Sequence, residues 1–326
     1  VLLFVVVILL AVAALSVAGL TVLRRPPDQG ASSPASASAS TSASSASLSA
    51  SSASPSASPA STPVPSGSAA TASPTLSASP SQEPGELPPR PDIVAHPQPV
   101  PVLIYHRIME KPKGPPLVVM STRLFRAQMA WLARNGYQPV TMRRVYDAWT
   151  GEGKLPPKAI VLSFDDGYAD QVRNAAPVLR GYGWPGELAL VSTALYLGDD
   201  PPATSLTPEM VQGLLDDGWG LESHSATHPD LTRLWGKKLA HQLVDSRERL
   251  EKLFEVKVDF FCYPGGIYNK RIKAAVRRHG YLAATATRYA AATPRDLFSM
   301  GRIYAYGGES MASFESRLRE VLAAED

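Results

Sequence analysis

From position 100 to position 322, short apolar runs rich in Val, Ile and Leu alternate with longer segments whose apolar residues recur at helical spacing. A strand-then-helix alternation of this kind can close its hydrogen bonds only as a parallel sheet covered by helices. Strands are expected at 100–106, 158–164, 188–191, 220–223, 256–262, 281–286 and 298–303. Helices are expected at 121–135, 171–181, 207–217, 237–254, 269–279 and 310–322, the first capped by Ser121 and the second stopped by Gly181. In parallel α/β folds functional groups collect where strands end. His106, the Asp165-Asp166 pair, His224 and the Tyr263-Pro264-Gly265-Gly266 turn all fall at such ends.

The N-terminal quarter reads differently. Residues 1–23 carry no charge, and as a helix they would run roughly 34 Å, enough to cross a hydrocarbon layer. A cleaved signal segment is the alternative, since small residues recur within the run. Residues 31–82 are almost entirely Ser, Ala, Pro and Thr. They hold too little apolar bulk to offset the entropy of ordering, which predicts a disordered stalk. The expected organisation is an anchor or signal segment at 1–25, a linker at 26–96 and a folded domain at 97–326. The domain is expected to be extracytoplasmic, membrane-anchored or secreted. The single cysteine excludes an intramolecular disulfide, and a net charge of +3 gives no case for nucleic acid. Nothing in the sequence points to a protein partner.

Taken alone, Asp165-Asp166-Gly167 reads as a turn after a strand. His224-Ser-Ala-Thr-His228 changes that reading, because histidines at i and i+4 lie close enough to share one metal ion. One aspartate of the pair completes a His, His, Asp set for a single divalent cation, which also compensates the repulsion between adjacent carboxylates. The other is left to act as a base in metal-assisted hydrolysis.

Ser163-Phe-Asp-Asp-Gly167 and His224-Ser-Ala-Thr-His228 resemble the first two motifs of the polysaccharide deacetylases, carbohydrate esterase family 4. The resemblance spans about 99–305 and implies a distorted (β/α)7 barrel. It implies Asp165 as catalytic base, Asp166, His224 and His228 as ligands of a metal that is usually zinc, and removal of acetyl groups from N-acetylglucosamine units of a glycan. The chain departs from the pattern at two places. Where the family's third motif carries an arginine and an aromatic residue, this chain has Cys262 and Gly265. The Gly265 backbone N–H keeps the oxyanion role, because that role needs no side chain. Arg302 is then a candidate to orient the base, or else a surface ion pair. No histidine follows His279, so the usual C-terminal acid is absent. Leu103-Ile-Tyr-His-Arg107 instead resembles the branch that deacetylates poly-N-acetylglucosamine, and this implies His106 as the acid. Cys262 is expected in the core. The five tryptophans could stack on sugars but are expected in the core too. The alternatives to an N-deacetylase are an O-acetyl esterase or another non-peptide amidase on the same fold, or an inactive glycan-binding module.

Overall fold

A strand buried on both faces is expected to be apolar nearly throughout, and residues 159–164 fit with Ser163 as their one polar side chain before two carboxylates end the run. The computed structural model describes residues 87–198 and 204–324. The expected anchor, the expected stalk and most of the expected linker fall within residues 1–86, outside the described residues. Among those described, no helix is long and apolar enough to cross a membrane.

The strands are β1 (Val102–Tyr105), β2 (Arg107–Met109), β3 (Val119–Ser121), β4 (Gln138–Pro139) and β5 (Ala159–Asp166), then β6 (Glu187–Leu190), β7 (Gly220–Ser223), β8 (Phe260–Cys262), β9 (Ala283–Thr285) and β10 (Ile303–Tyr304). The helices are α1 (Thr122–Arg134), α2 (Met142–Trp149), α3 (Ala176–Arg180), α4 (Pro208–Asp216), α5 (Gly236–Ala240), α6 (Ser246–Phe254), α7 (Lys270–Arg278) and α8 (Met311–Ala323). The main sheet runs β10-β1-β5-β6-β7-β8-β9, with every neighbouring pair parallel. This is the β/α-type sheet that the alternation demanded. Ser121, Thr141, Thr207, Asn269 and Ser310 each cap a helix by accepting a backbone N–H.

Three departures from the expected elements have local causes. The helices expected at 171–181 and 237–254 are not uniform. The first opens with a π-helical turn at Gln171–Ala175, just before Pro177, which has no N–H for an α-type bond. The second contains one at His241–Asp245, where Ser246 Oγ donates back to the Gln242 carbonyl at 2.7 Å. The last strand, expected at 298–303, is divided between two neighbours. Met300 exchanges hydrogen bonds with Ala284 and Ala286 beside β9, whereas Ile303 and Tyr304 pair with β1. Gly301 makes the shift possible, since a Cβ there would sit 2.4 Å from the Ala290 carbonyl oxygen.

Period-two alternation sorts the sheet into two faces. Ile160, Leu162 and Phe164 of β5 join the layer packed against the helices, whereas Val161 packs on the opposite, inner side with Val102, Phe260 and Met300. That inner cluster, closed by Trp149 and Met142 of α2, fills the end of the sheet where the strands begin. The polar groups lie at the other end.

Candidate active site

Alternation gives the two adjacent aspartates different surroundings. Asp165 follows Val161 and Ser163 onto the inner face and is buried, whereas Asp166 turns at the strand lip with φ 73° and stays half-buried. The turn needs glycine next. Gly167 has φ 91°, and a Cβ there would come within 2.4 Å of Leu190 Cδ1.

Asp165 is held by a buried guanidinium. Arg302, 2% exposed, donates from Nη1 to Oδ1 at 2.8 Å and from Nη2 to Oδ2 at 2.9 Å. Ser163 Oγ donates to the same Oδ1 at 3.0 Å and accepts from Arg302 Nη1 at 2.9 Å. Burial by itself would raise the Asp165 pKa. The Arg302 charge outweighs it, with His224 and His106 adding to the effect, and the carboxyl is held well below the usual carboxylate range. Arg302 Nε has no hydrogen-bond partner among the described residues.

Asp166 faces two imidazoles. His224 Nε2 and His228 Nε2 lie 3.6 and 3.5 Å from its Oδ1, and the two rings are 4.7 Å apart. Those separations are long for hydrogen bonds. They match the roughly 3.4 Å edge between ligand atoms placed about 2.1 Å from one tetrahedral cation. His224 Nδ1 lies 2.8 Å from the Cys262 carbonyl oxygen, a contact that suits donation from Nδ1 and leaves Nε2 free as a ligand. Burial lowers the His224 pKa to about 4, so the ring is neutral, as a ligand must be. The donor atoms of Asp166, His224 and His228 all lie within 4.8 Å of one another.

Asp165, His224 and Cys262 meet the same distance test. They make a poorer site, because Arg302 already engages both Asp165 oxygens and burial holds the Cys262 thiol well above its ordinary pKa, hence protonated. The set of Asp166, His224 and His228 therefore fits a divalent cation.

Backbone strain gathers at the same place. Asp166, Ser225 and His228 are three of the four non-glycine residues with positive φ among the described residues, the fourth being the helix-terminal Glu255. Two glutamines that sequence reasoning passed over hold this geometry, and each lies on one of the π-helical turns. Gln171 donates to the His106 carbonyl at 2.9 Å and to the Asp165 carbonyl at 2.7 Å, tying the ends of β1 and β5 together. Gln242 accepts from the amides of Ala226 and Thr227 at 3.1 and 3.0 Å, and so fixes the loop between the two histidines. The only signal for either was a polar amide on a helix face otherwise expected to be apolar.

His106 lies beyond β1 with its ring parallel to Tyr304, centroids 6.0 Å apart, and its buried Nδ1 has no hydrogen-bond partner among the described residues. Gly265 sits in the turn after β8 with φ 60°.

Two further acids lie beneath the pair. Burial pushes Glu222 up to about 7, although Arg302 pulls the other way, and burial together with Glu222 holds Glu187 well above its ordinary value. Glu222 titrates near 4.5 when unfolded, so between about 4.5 and about 7 the fold keeps a proton that the unfolded chain has released. Rising pH across that window weakens folding. In metal-free protein, Glu222→Gln is expected to change Tm little at pH 4.5 and to raise it by on the order of 5 °C at pH 8. A Tm difference that is the same at both pH values contradicts a neutral Glu222.

The parallel β/α sheet thus carries a carboxylate and two imidazoles at its C-terminal edge, beside a second carboxylate held by arginine. Residues 152–284 match the family model described as polysaccharide deacetylase. The class comprises hydrolases that act on carbon–nitrogen bonds other than peptide bonds. YxkH of Bacillus subtilis, named as a candidate polysaccharide deacetylase, is 28% identical over 226 residues, 69% of this chain and 78% of that protein. The poly-beta-1,6-N-acetyl-D-glucosamine N-deacetylase of Escherichia coli is 36% identical over 89 residues, which are 27% of this chain and 13% of that protein. The deacetylase PplD of Streptococcus pyogenes, solved in complex with acetate, matches with a TM-score of 0.62 at 23% identity, over 70% of this chain and 99% of that one. At that identity the likeness is one of fold.

Proposed function

We propose that this domain removes N-acetyl groups from a polysaccharide containing N-acetylglucosamine, outside the cytoplasm, on a distorted (β/α)7 barrel. The observation that carries the reading is the separation of the two aspartates, with Asp166 turned to His224 and His228 and Asp165 paired with Arg302. The named activity of the Escherichia coli relative supports the substrate class. The apolar run and Ser/Ala/Pro-rich stretch at residues 1–82 support the location.

Asp166, His224 and His228 would hold a divalent cation, for which zinc suits two imidazoles and a carboxylate. When bound, it supplies Lewis acidity that lowers the pKa of a nucleophilic water and polarises the acetamide carbonyl. Asp165 is ionised at neutral pH. Its Oδ1 is taken up by Arg302 and Ser163, while Oδ2 has Arg302 as its one strong donor and keeps a lone pair for the proton of the attacking water. Arg302 fixes the carboxylate plane. The Gly265 N–H steadies the negative charge that develops on the carbonyl oxygen. His106 gives a proton to the departing amine, turning a poor leaving group into a neutral one.

Chelation of divalent cations is expected to abolish acetate release from N-acetylglucosamine oligomers, and zinc or cobalt to restore it. Metal analysis should find one ion per chain, and His228→Ala should lose it. Full activity in metal-stripped protein contradicts this mechanism. Release from O-acetylated but not N-acetylated glycans reassigns the substrate.

A further inference from the structure

Trp131, Trp149 and Trp219 are buried, as expected for core residues, but Trp235 leaves 64% of its surface in solvent. It ends the loop that carries His228 out from β7, on the same edge of the sheet as the metal group. The chain between the two residues spans at most roughly 25 Å. Trp235 holds the N-cap position of α5, where Ser, Thr, Asp or Asn would accept a backbone N–H, and no side-chain cap is made there.

Behind the indole lies Arg271, from the first turn of α7, with its guanidinium carbon 4.7 Å from a ring centroid. Arg271 is itself fixed, donating to the carbonyls of Leu234 at 2.8 Å and Thr232 at 3.0 Å. Those two bonds secure the loop without help from the ring. The indole therefore serves neither capping nor core packing. It presents a flat apolar surface, backed by Arg271, at the rim of the catalytic edge.

We propose that Trp235, backed by Arg271, is a stacking subsite for a sugar ring of the glycan, separate from the unit that loses its acetyl group; this rests on the glycan reading above. The C–H face of a pyranose is apolar while its hydroxyls project around the rim. Laying that face on an indole removes apolar area from water and leaves the hydroxyls hydrated. Because Arg271 is already in place, binding orders little else. Such a subsite selects for a chain of sugars over a single acetylated unit.

The test uses the full metal-loaded chain and a hexamer of β-1,6-linked N-acetylglucosamine. Trp235→Ala is expected to raise KM for the hexamer about tenfold while kcat moves less than about twofold, and Trp235→Phe to retain most of the affinity. Titrating the hexamer into Asp165→Asn protein, with intrinsic fluorescence as readout, should show a change that Trp235→Ala removes. An unchanged KM, or an unchanged hexamer affinity in the titration, overturns the subsite. If the wild-type chain releases no acetate from any glycan, the deacetylase reading fails on its own. The titration then decides the subsite alone, for it if Trp235→Ala weakens hexamer binding and against it if not.

Discussion

Replacing Asp165 by asparagine is expected to lower kcat for acetate release by about 10²- to 10⁴-fold, the range associated with a positioned acid–base group. The substitution keeps the shape of the side chain and one oxygen, but removes the negative charge and the capacity to take a proton. Metal content should stay at the wild-type level if, as proposed, Asp166, His224 and His228 are the ligand set. Comparing activity with metal content separates a lost base from a lost cation. Wild-type acetate release by Asp165→Asn would remove Asp165 from the base role. A lost metal ion would move it among the ligands.

The second large effect concerns Arg302. In Arg302→Met the buried Asp165 carboxylate keeps the Ser163 hydroxyl but loses the only full counter-charge that bonds it among the described residues. Breaking a buried pair from one side typically costs about 3–5 kcal/mol, because a charge is left uncompensated. Asp165 should respond by taking up a proton, so neutral-pH activity falls along with stability. The double variant Asp165→Asn/Arg302→Met is the informative one, since it removes both charges together. It should regain much of the lost stability while remaining inactive, which places the two side chains in one coupled unit. Arg302→Lys offers a point charge in place of a planar fork and should fall between. Urea unfolding and acetate release measured in parallel check both halves. A loss below about 1 kcal/mol for Arg302→Met contradicts the pairing as described.

Much of this arrangement was visible in the chain itself. The run from Ile160 to Phe164 reads as a buried strand, and the spacing of His224 and His228 as two ligands of one metal ion. The frame of the sheet followed from alternation alone. Other features depend on long-range packing that no local pattern encodes. Arg302 was open to two readings, a partner for the base or a surface ion pair, and only the approach of the segment after Gly301 to β1 puts it against Asp165. The strands β2, β3 and β4 are too short to carry a periodic signal. A tryptophan likewise looks the same in sequence whether it is buried, as Trp149 is, or open, as Trp235 is.

The two π-helical turns have a consequence for how the domain answers its surroundings. Gln171 and Gln242 fasten strand ends and loop through neutral amides bonded to backbone groups. Ionic strength screens interactions between charges, and pH alters groups that titrate; these ties belong to neither kind. Added salt can therefore change how a charged polymer is attracted to the surface, yet it leaves the spacing between the backbones of His106 and Asp165 where Gln171 sets it. That spacing is set by neutral hydrogen bonds, so the distance between the two strand ends does not depend on charge screening.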